Sequence, residues 1–173
     1  MSGSLRPVVF VAGCPGVGKS AVCRALLGVQ GPPVGRWSVG SRFCALGPYS
    51  GATHDGADAL PVASAVFAKA FGQLDDPTLA PLVALLDGVR FGRWVLPYLE
   101  RSLRPRLSVL LSAPAEVLAA RRQGRGSKPV SQVWLDTEIA KARRAASEFG
   151  RVVQVDANRS LQAVVHSVLG AIS

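Results

Sequence analysis

Residues 7–20 read Pro-Val-Val-Phe-Val-Ala-Gly-Cys-Pro-Gly-Val-Gly-Lys-Ser, and two physical signals meet in them. Residues 7–12 are a continuous apolar run rich in β-branched side chains, the pattern of a strand buried on both faces. Gly13-Cys14-Pro15-Gly16-Val17-Gly18-Lys19-Ser20 then fits G-x-x-x-x-G-K-[ST], the spacing of a phosphate-binding loop. A helical apolar pattern follows from Ala21 and is closed by Gly28. Strand, loop and helix in that order give a motif of four defined positions its weight. The glycines let successive main-chain N–H groups converge on an anion, which Cβ atoms would obstruct. Lys19 adds a point charge for β- and γ-phosphates, and the Ser20 hydroxyl suits Mg²⁺. The helix beginning at Lys19 aims the positive end of its dipole at the same place. Cys14, inside the loop, reads as a small filler.

Outward from this stretch, the pattern alternates. Residues 29–40, with Gly31, Pro32, Pro33, Gly35 and Gly40, read as a loop, and 41–46 as a second strand. A glycine-rich loop follows at 47–58, then a helix at 60–71 with an apolar stripe through Val62, Val66, Phe67, Ala70 and Phe71. Residues 81–86 read as a buried strand ending in Asp87, and 91–103 as a helix kinked or interrupted at Pro97. A fourth strand is expected at 106–113, with a helix from Pro114 to about Arg122 and a basic loop at 123–131. A polar helix at 132–148, a fifth strand at 151–157 and an amphipathic helix at 160–171 complete the pattern. Such alternation implies a parallel sheet covered on both faces.

Composition sets the bounds. Of 173 residues 49% are apolar, enough for a core, so disorder is excluded. No run of about 18 uncharged apolar residues offers a spanning helix, and the first twenty residues do not read as a secretory signal. Cys14, Cys23 and Cys44 lack the spacing of a disulfide framework or a zinc site, which points to a reducing cytoplasm. Net charge is +9 and uneven: residues 1–100 hold 8 basic and 6 acidic side chains, residues 101–173 hold 12 and 5. The excess suits either plain solubility or a polyanionic partner.

With these residues in place, the chain resembles the small P-loop kinases, the nucleoside and nucleotide kinase group, over nearly its whole length. The resemblance implies one domain over 1–173: a three-layer α/β fold with a five-stranded parallel sheet and a short lid at about 121–131. It implies ATP and Mg²⁺, bound along Gly13–Ala21. The guanine-reading N-K-x-D of GTPases and the transporter-ATPase signature are absent.

Asp87, in Asp87-Gly88-Val89-Arg90, is expected to hold Mg²⁺ with Ser20 or to take the proton of the attacking hydroxyl, with Arg90 orienting substrate. The plain alternative is a helix cap. Asp55 and Asp58 are further candidates for the base, Asp58 equally an N-cap. Arg121, Arg122, Arg125 and Lys128 correspond to lid positions, Arg121 and Arg125 against nucleotide phosphates and Arg122 against substrate. Their guanidinium forks match phosphate oxygens; the alternative is a solvated basic loop. Tyr49 is expected to stack on a substrate base or to pack as an ordinary aromatic. His54 reads as a loop histidine.

Two acceptors compete. The loop Gly-Pro-Tyr-Ser-Gly…Asp-Gly-Ala-Asp (47–58), Arg125-Gly126-Ser127 and the basic C-terminal part are similar to phage-type 5-hydroxymethyluracil DNA kinases. That likeness implies phosphorylation of a hydroxymethyl group in modified DNA. The other acceptor is a free nucleoside, nucleotide or other small molecule. A non-catalytic nucleotide-binding module is the third possibility.

Overall fold

Burial in the central strand dictates the layers. The computed structural model describes residues 6–49, 56–60, 64–88 and 96–173, without the side chains of Asp58 and Ser64. In chain order its elements are β1 (Val8–Ala12), α1 (Lys19–Leu27), β2 (Trp37–Val39), β3 (Phe43–Leu46), a 3₁₀ turn (Gly56–Ala59) and α2 (Ser64–Gly72). There follow β4 (Val83–Asp87), α3 (Leu96–Leu99), β5 (Arg106–Ser112), α4 (Ala115–Gln123), α5 (Gln132–Phe149), β6 (Arg151–Asp156) and α6 (Leu161–Ile172). All five residues of β1 are buried. Val8, Phe10 and Ala12 meet Phe67 and Phe71 of α2 and Phe149 of α5 in one apolar cluster. Val9 and Val11 meet Val22 of α1 and Val164 and Val168 of α6 in the other. A strand with period-two alternation and no polar face must lie between two helical layers, and this one does.

The sheet order is β2-β3-β4-β1-β5-β6. Neighbours from β3 to β6 run parallel, while β2 pairs antiparallel with β3. The five expected parallel strands are therefore present, and a sixth lies where a loop was expected at 29–40. Its anchor is Trp37, fully buried, whose indole Nε1–H donates to the Ala70 carbonyl at 2.9 Å. Glycines and prolines on both sides conceal a three-residue strand that long-range packing fixes.

Other boundaries shift for local reasons. Of the helix expected over 60–71, Leu60 follows the 3₁₀ turn without being helical and Ser64–Gly72 is helix, while residues 61–63 lie outside the described set. Of the helix expected over 91–103, the described part is helical at Leu96–Leu99 and leaves the helix by Ser102, while residues 91–95 lie outside the described set. Ser131 and Ser160 cap α5 and α6, their hydroxyls accepting from Trp134 N and Ala163 N. No helix among the described residues is long and apolar enough to cross a membrane.

At the amino edge of the sheet Arg104 is 4% exposed. Its Nε donates to Arg6 O at 2.7 Å, Nη1 to Leu74 O at 3.2 Å and Nη2 to Leu82 O. Burial lowers its pKa. One guanidinium thus ties together the chain before β1 and the segment between α2 and β4.

Candidate active site

The carboxyl edge of the sheet carries the loop read first. After β1, residues 13–18 wrap into α1 with Gly16 at φ +94° and Gly18 at φ +104°, a region that L side chains rarely adopt. Gly18 occupies the N-cap of α1 and provides no side-chain cap. The first-turn N–H groups of α1 therefore have no capping side chain, and no acidic residue sits in that turn to oppose an incoming anion. Lys19 is 8% exposed, its Nζ donating to Gly13 O at 3.1 Å. An ammonium has three protons, and this contact takes one. Ser20 and Ala21 follow in the same turn, half-buried.

β1 and β4 are neighbours in parallel register, with Val11 opposite Asp87. That register sets the 2% exposed Asp87 beside the loop that leaves β1. Tyr49, also buried, points its hydroxyl at Asp87 Oδ2 over a long 3.5 Å. Gly56 packs against both: a Cβ there would lie 2.9 Å from the Tyr49 hydroxyl and 3.2 Å from Asp87 Oδ2. Cys23 of α1 completes the cluster. Burial pushes its thiol well above the ordinary range, the Asp87 charge adds to that, and the Tyr49 hydrogen bond and Lys19 oppose it. Burial likewise raises Cys14, against the nearby Lys19, and raises Cys44 to about 12. All three thiols are buried, which disfavours the thiolate form.

Donors and charges at the loop fit a triphosphate and its Mg²⁺. The cradle is glycine-lined, the buried ammonium has protons to spare, and a hydroxyl and a carboxylate stand on adjacent elements. Among the described residues no group of three or more His, Cys, Asp and Glu forms a metal cluster. Ser20 and Asp87 would be the protein's share of a Mg²⁺ sphere otherwise filled by phosphate oxygens and water.

The four basic residues around the expected lid part ways. Arg121 gives Nη1 to Val17 O at 3.3 Å and Nη2 to Ala157 O at 2.9 Å, bracing the loop against the end of β6. Arg122 crosses Gly16 and lays its guanidinium 4.6 Å above the Trp134 ring. Its Nε is buried, with no hydrogen-bond partner among the described residues. Arg125 and Lys128 stand exposed in the turn between α4 and α5. Asp58 lies in the 3₁₀ turn, and its side chain is outside the description, as are Asp55, His54 and Arg90 altogether.

A cavity of about 500 Å³ opens on the far side of Tyr49. Tyr49, Trp37, Pro33, Pro48 and Leu60 give it apolar walls, and Arg36 is exposed at it. The sequence pointed to Tyr49 but not to the 30–38 segment that forms the opposite wall. Gln30 fixes that segment by donating from Nε2 to Tyr49 O at 2.9 Å.

No protein-family model matches the sequence, and no curated protein matches it. Solved structures do match. A gluconokinase from Sinorhizobium meliloti 1021 superposes with a TM-score of 0.53 at 18% identity, over 98% of this chain and 93% of that one. A sugar kinase from Janibacter sp. HTCC2649 gives 0.57 at 16%, over 96% and 94%. The fold is that of the P-loop kinases. The matched spans run over nearly all of this chain and of each neighbour. At these identities the likeness speaks for the architecture.

Proposed function

We propose that this chain is a single-domain, Mg²⁺-dependent phosphotransferase that moves the γ-phosphoryl group of ATP to an alcohol. The register that sets Asp87 opposite Val11, one turn of chain from the glycine loop and Lys19, carries the reading. Main-chain amides of residues 13–21 hold the phosphate chain, and Lys19 releases Gly13 O to neutralise β- and γ-oxygens. Ser20 and Asp87 hold Mg²⁺, which when bound supplies charge neutralisation on the transferring group. Asp87 or one of Asp55 and Asp58 takes the proton of the acceptor hydroxyl. Arg121 steadies the loop, and Arg122, Arg125 and Lys128 are the remaining lid cations. Three buried thiols suit a reducing compartment such as the cytoplasm.

The acceptor is a small hydroxyl-bearing molecule. A cavity of about 500 Å³ with apolar walls and one cationic side chain lies within the range of small-molecule sites, roughly 300–1,000 Å³. The names of the two structural neighbours, a gluconokinase and a sugar kinase, lean the same way. A second reading is favoured by the net charge of +9: the hydroxymethyl group of 5-hydroxymethyluracil within DNA.

A phosphate-transfer screen with γ-labelled ATP separates them. Sugars, sugar acids, nucleosides, nucleoside monophosphates and an oligonucleotide carrying 5-hydroxymethyluracil are offered in parallel. Label on a free small molecule establishes the first acceptor, and label on the oligonucleotide alone establishes the second. Tight ATP binding without transfer to any acceptor contradicts the kinase reading and leaves a nucleotide-binding module.

A further inference from the structure

Beside the glycine loop, on the side of Gly88, lies a smaller cavity of about 160 Å³. That is room for a phosphoryl group with its water. Gly13 and Pro15 of the loop form one wall and Gly88, the residue after Asp87, another. The remaining wall belongs to α5 and includes Glu138 and Lys141. These two pair at 2.7 Å; the Glu138 side chain is 17% exposed and that of Lys141 67%. Helix α5 is held in place from below, since the buried Ser108 hydroxyl of β5 donates to Ala146 O at 2.7 Å.

Such a carboxylate is out of place at a phosphate cradle unless a cation goes with it. A bare Glu138 would repel phosphate oxygens about as strongly as a cation at the same distance attracts them. Its field does reach the loop, where it raises the Cys14 thiol. Lys141 cancels that charge, and a paired ammonium still has two protons to give. Of the arginines nearest the loop, Arg121 gives both Nη atoms to carbonyls, and Arg122 lies across Gly16, on the far side from Gly88, with its guanidinium over Trp134.

We propose that Lys141, standing on Glu138 at the mouth of this cavity, is the cation that contacts the terminal phosphoryl group of the bound nucleotide. The cavity is walled by Gly88, the residue after Asp87, whereas Arg121 and Ala157 lie at Val17, further along the loop, so Lys141 reads the γ-phosphate and not the nucleoside. This assignment rests on the loop binding ATP, as proposed above.

Calorimetric titration of ATP and of ADP, each with Mg²⁺, into the wild-type chain, Lys141→Ala and Lys141→Arg tests it. Lys141 is largely exposed, so both variants keep the fold, checked by thermal melting. Lys141→Ala is expected to weaken ATP about tenfold or more while ADP stays within about twofold, and Lys141→Arg to recover most of the difference. Equal weakening of both nucleotides, or no change in either, overturns the assignment. A wild-type chain that binds neither nucleotide overturns the underlying phosphate-loop reading and this assignment with it, whereas wild-type binding with unchanged variants overturns this assignment alone.

Discussion

Lys19 and Arg104 are buried cations at opposite edges of the same sheet, and the fold treats them differently. Arg104, at the amino edge, spends its donors on the carbonyls of Arg6, Leu74 and Leu82. Lys19, at the carboxyl edge, spends one proton on Gly13 O and keeps two. Three carbonyl dipoles around Arg104 offset the cost of burying its charge; a single carbonyl does much less for Lys19. A buried cation whose every nitrogen meets a main-chain carbonyl is a strut. One held with donors in reserve, beside a glycine-lined cradle, is a place where an anion completes the structure.

Breaking the reserve cation gives the largest effect. Lys19→Ala is expected to lower phosphoryl transfer by about a thousandfold or more, since charge aimed at the transferring group carries most of such catalysis. Its melting temperature should stay near the wild type, because one hydrogen bond to Gly13 O is lost. Retained turnover in a coupled ADP-release assay would remove Lys19 from the mechanism.

Next in size is Asp87→Asn, isosteric and able to keep the packing against Gly56 and Tyr49. Turnover is expected to fall about a hundredfold or more, whether the carboxylate holds Mg²⁺ or takes the proton. Raising Mg²⁺ separates the two roles: recovery of rate marks the metal, no recovery marks the base. A rate within threefold of wild type leaves Asp87 as a structural strand end.

Arg104→Met inverts the pattern of Lys19→Ala. Stability is expected to drop by about 3 kcal/mol, since three carbonyls lose a charged donor in a buried site. For a chain of this size that lowers the melting temperature by roughly 6–12 °C. Below the transition the KM for ATP should stay within about twofold. A variant that melts like the wild type would show that the strut bears no weight.

Tyr49→Phe sharpens the comparison at its weakest contact. At 3.5 Å the hydroxyl's hold on Asp87 is slight. The expected cost is under about 1 kcal/mol in stability, with turnover within about tenfold of wild type. A larger loss in turnover at unchanged stability would make Tyr49 a positioning residue for Asp87, and the rate–pH profile would then shift as well.

The same contrast explains what could be read from the chain. The glycine loop was legible because its conformation is written in residue types: glycines for positive φ, one lysine, one serine, all local. Asp87 was legible as a carboxylate closing an apolar run. The strut was not. Arg104 is one of twelve basic residues after position 100, and its partners are carbonyls, which every residue carries. For the same reason Arg121 could not be told from Arg125: one braces Val17 and Ala157 through main chain, the other stands in solvent. Strand β2 hid among glycines and prolines because Trp37 is held by Ala70, thirty-three residues away. Glu138 and Lys141 are three residues apart on a polar helix, and it is the packing of α5 against β1 and β5 that brings them to the loop.

Backbone amide NMR of the labelled chain, titrated with MgATP, tests the central claim most directly. If the main chain at residues 13–21 forms the triphosphate cradle, the largest shifts fall on those amides and on Asp87 and Gly88 across the sheet, and Lys19→Ala abolishes them at the same nucleotide concentration. Saturable binding that leaves 13–21 unmoved, or that survives Lys19→Ala unchanged, would contradict the account.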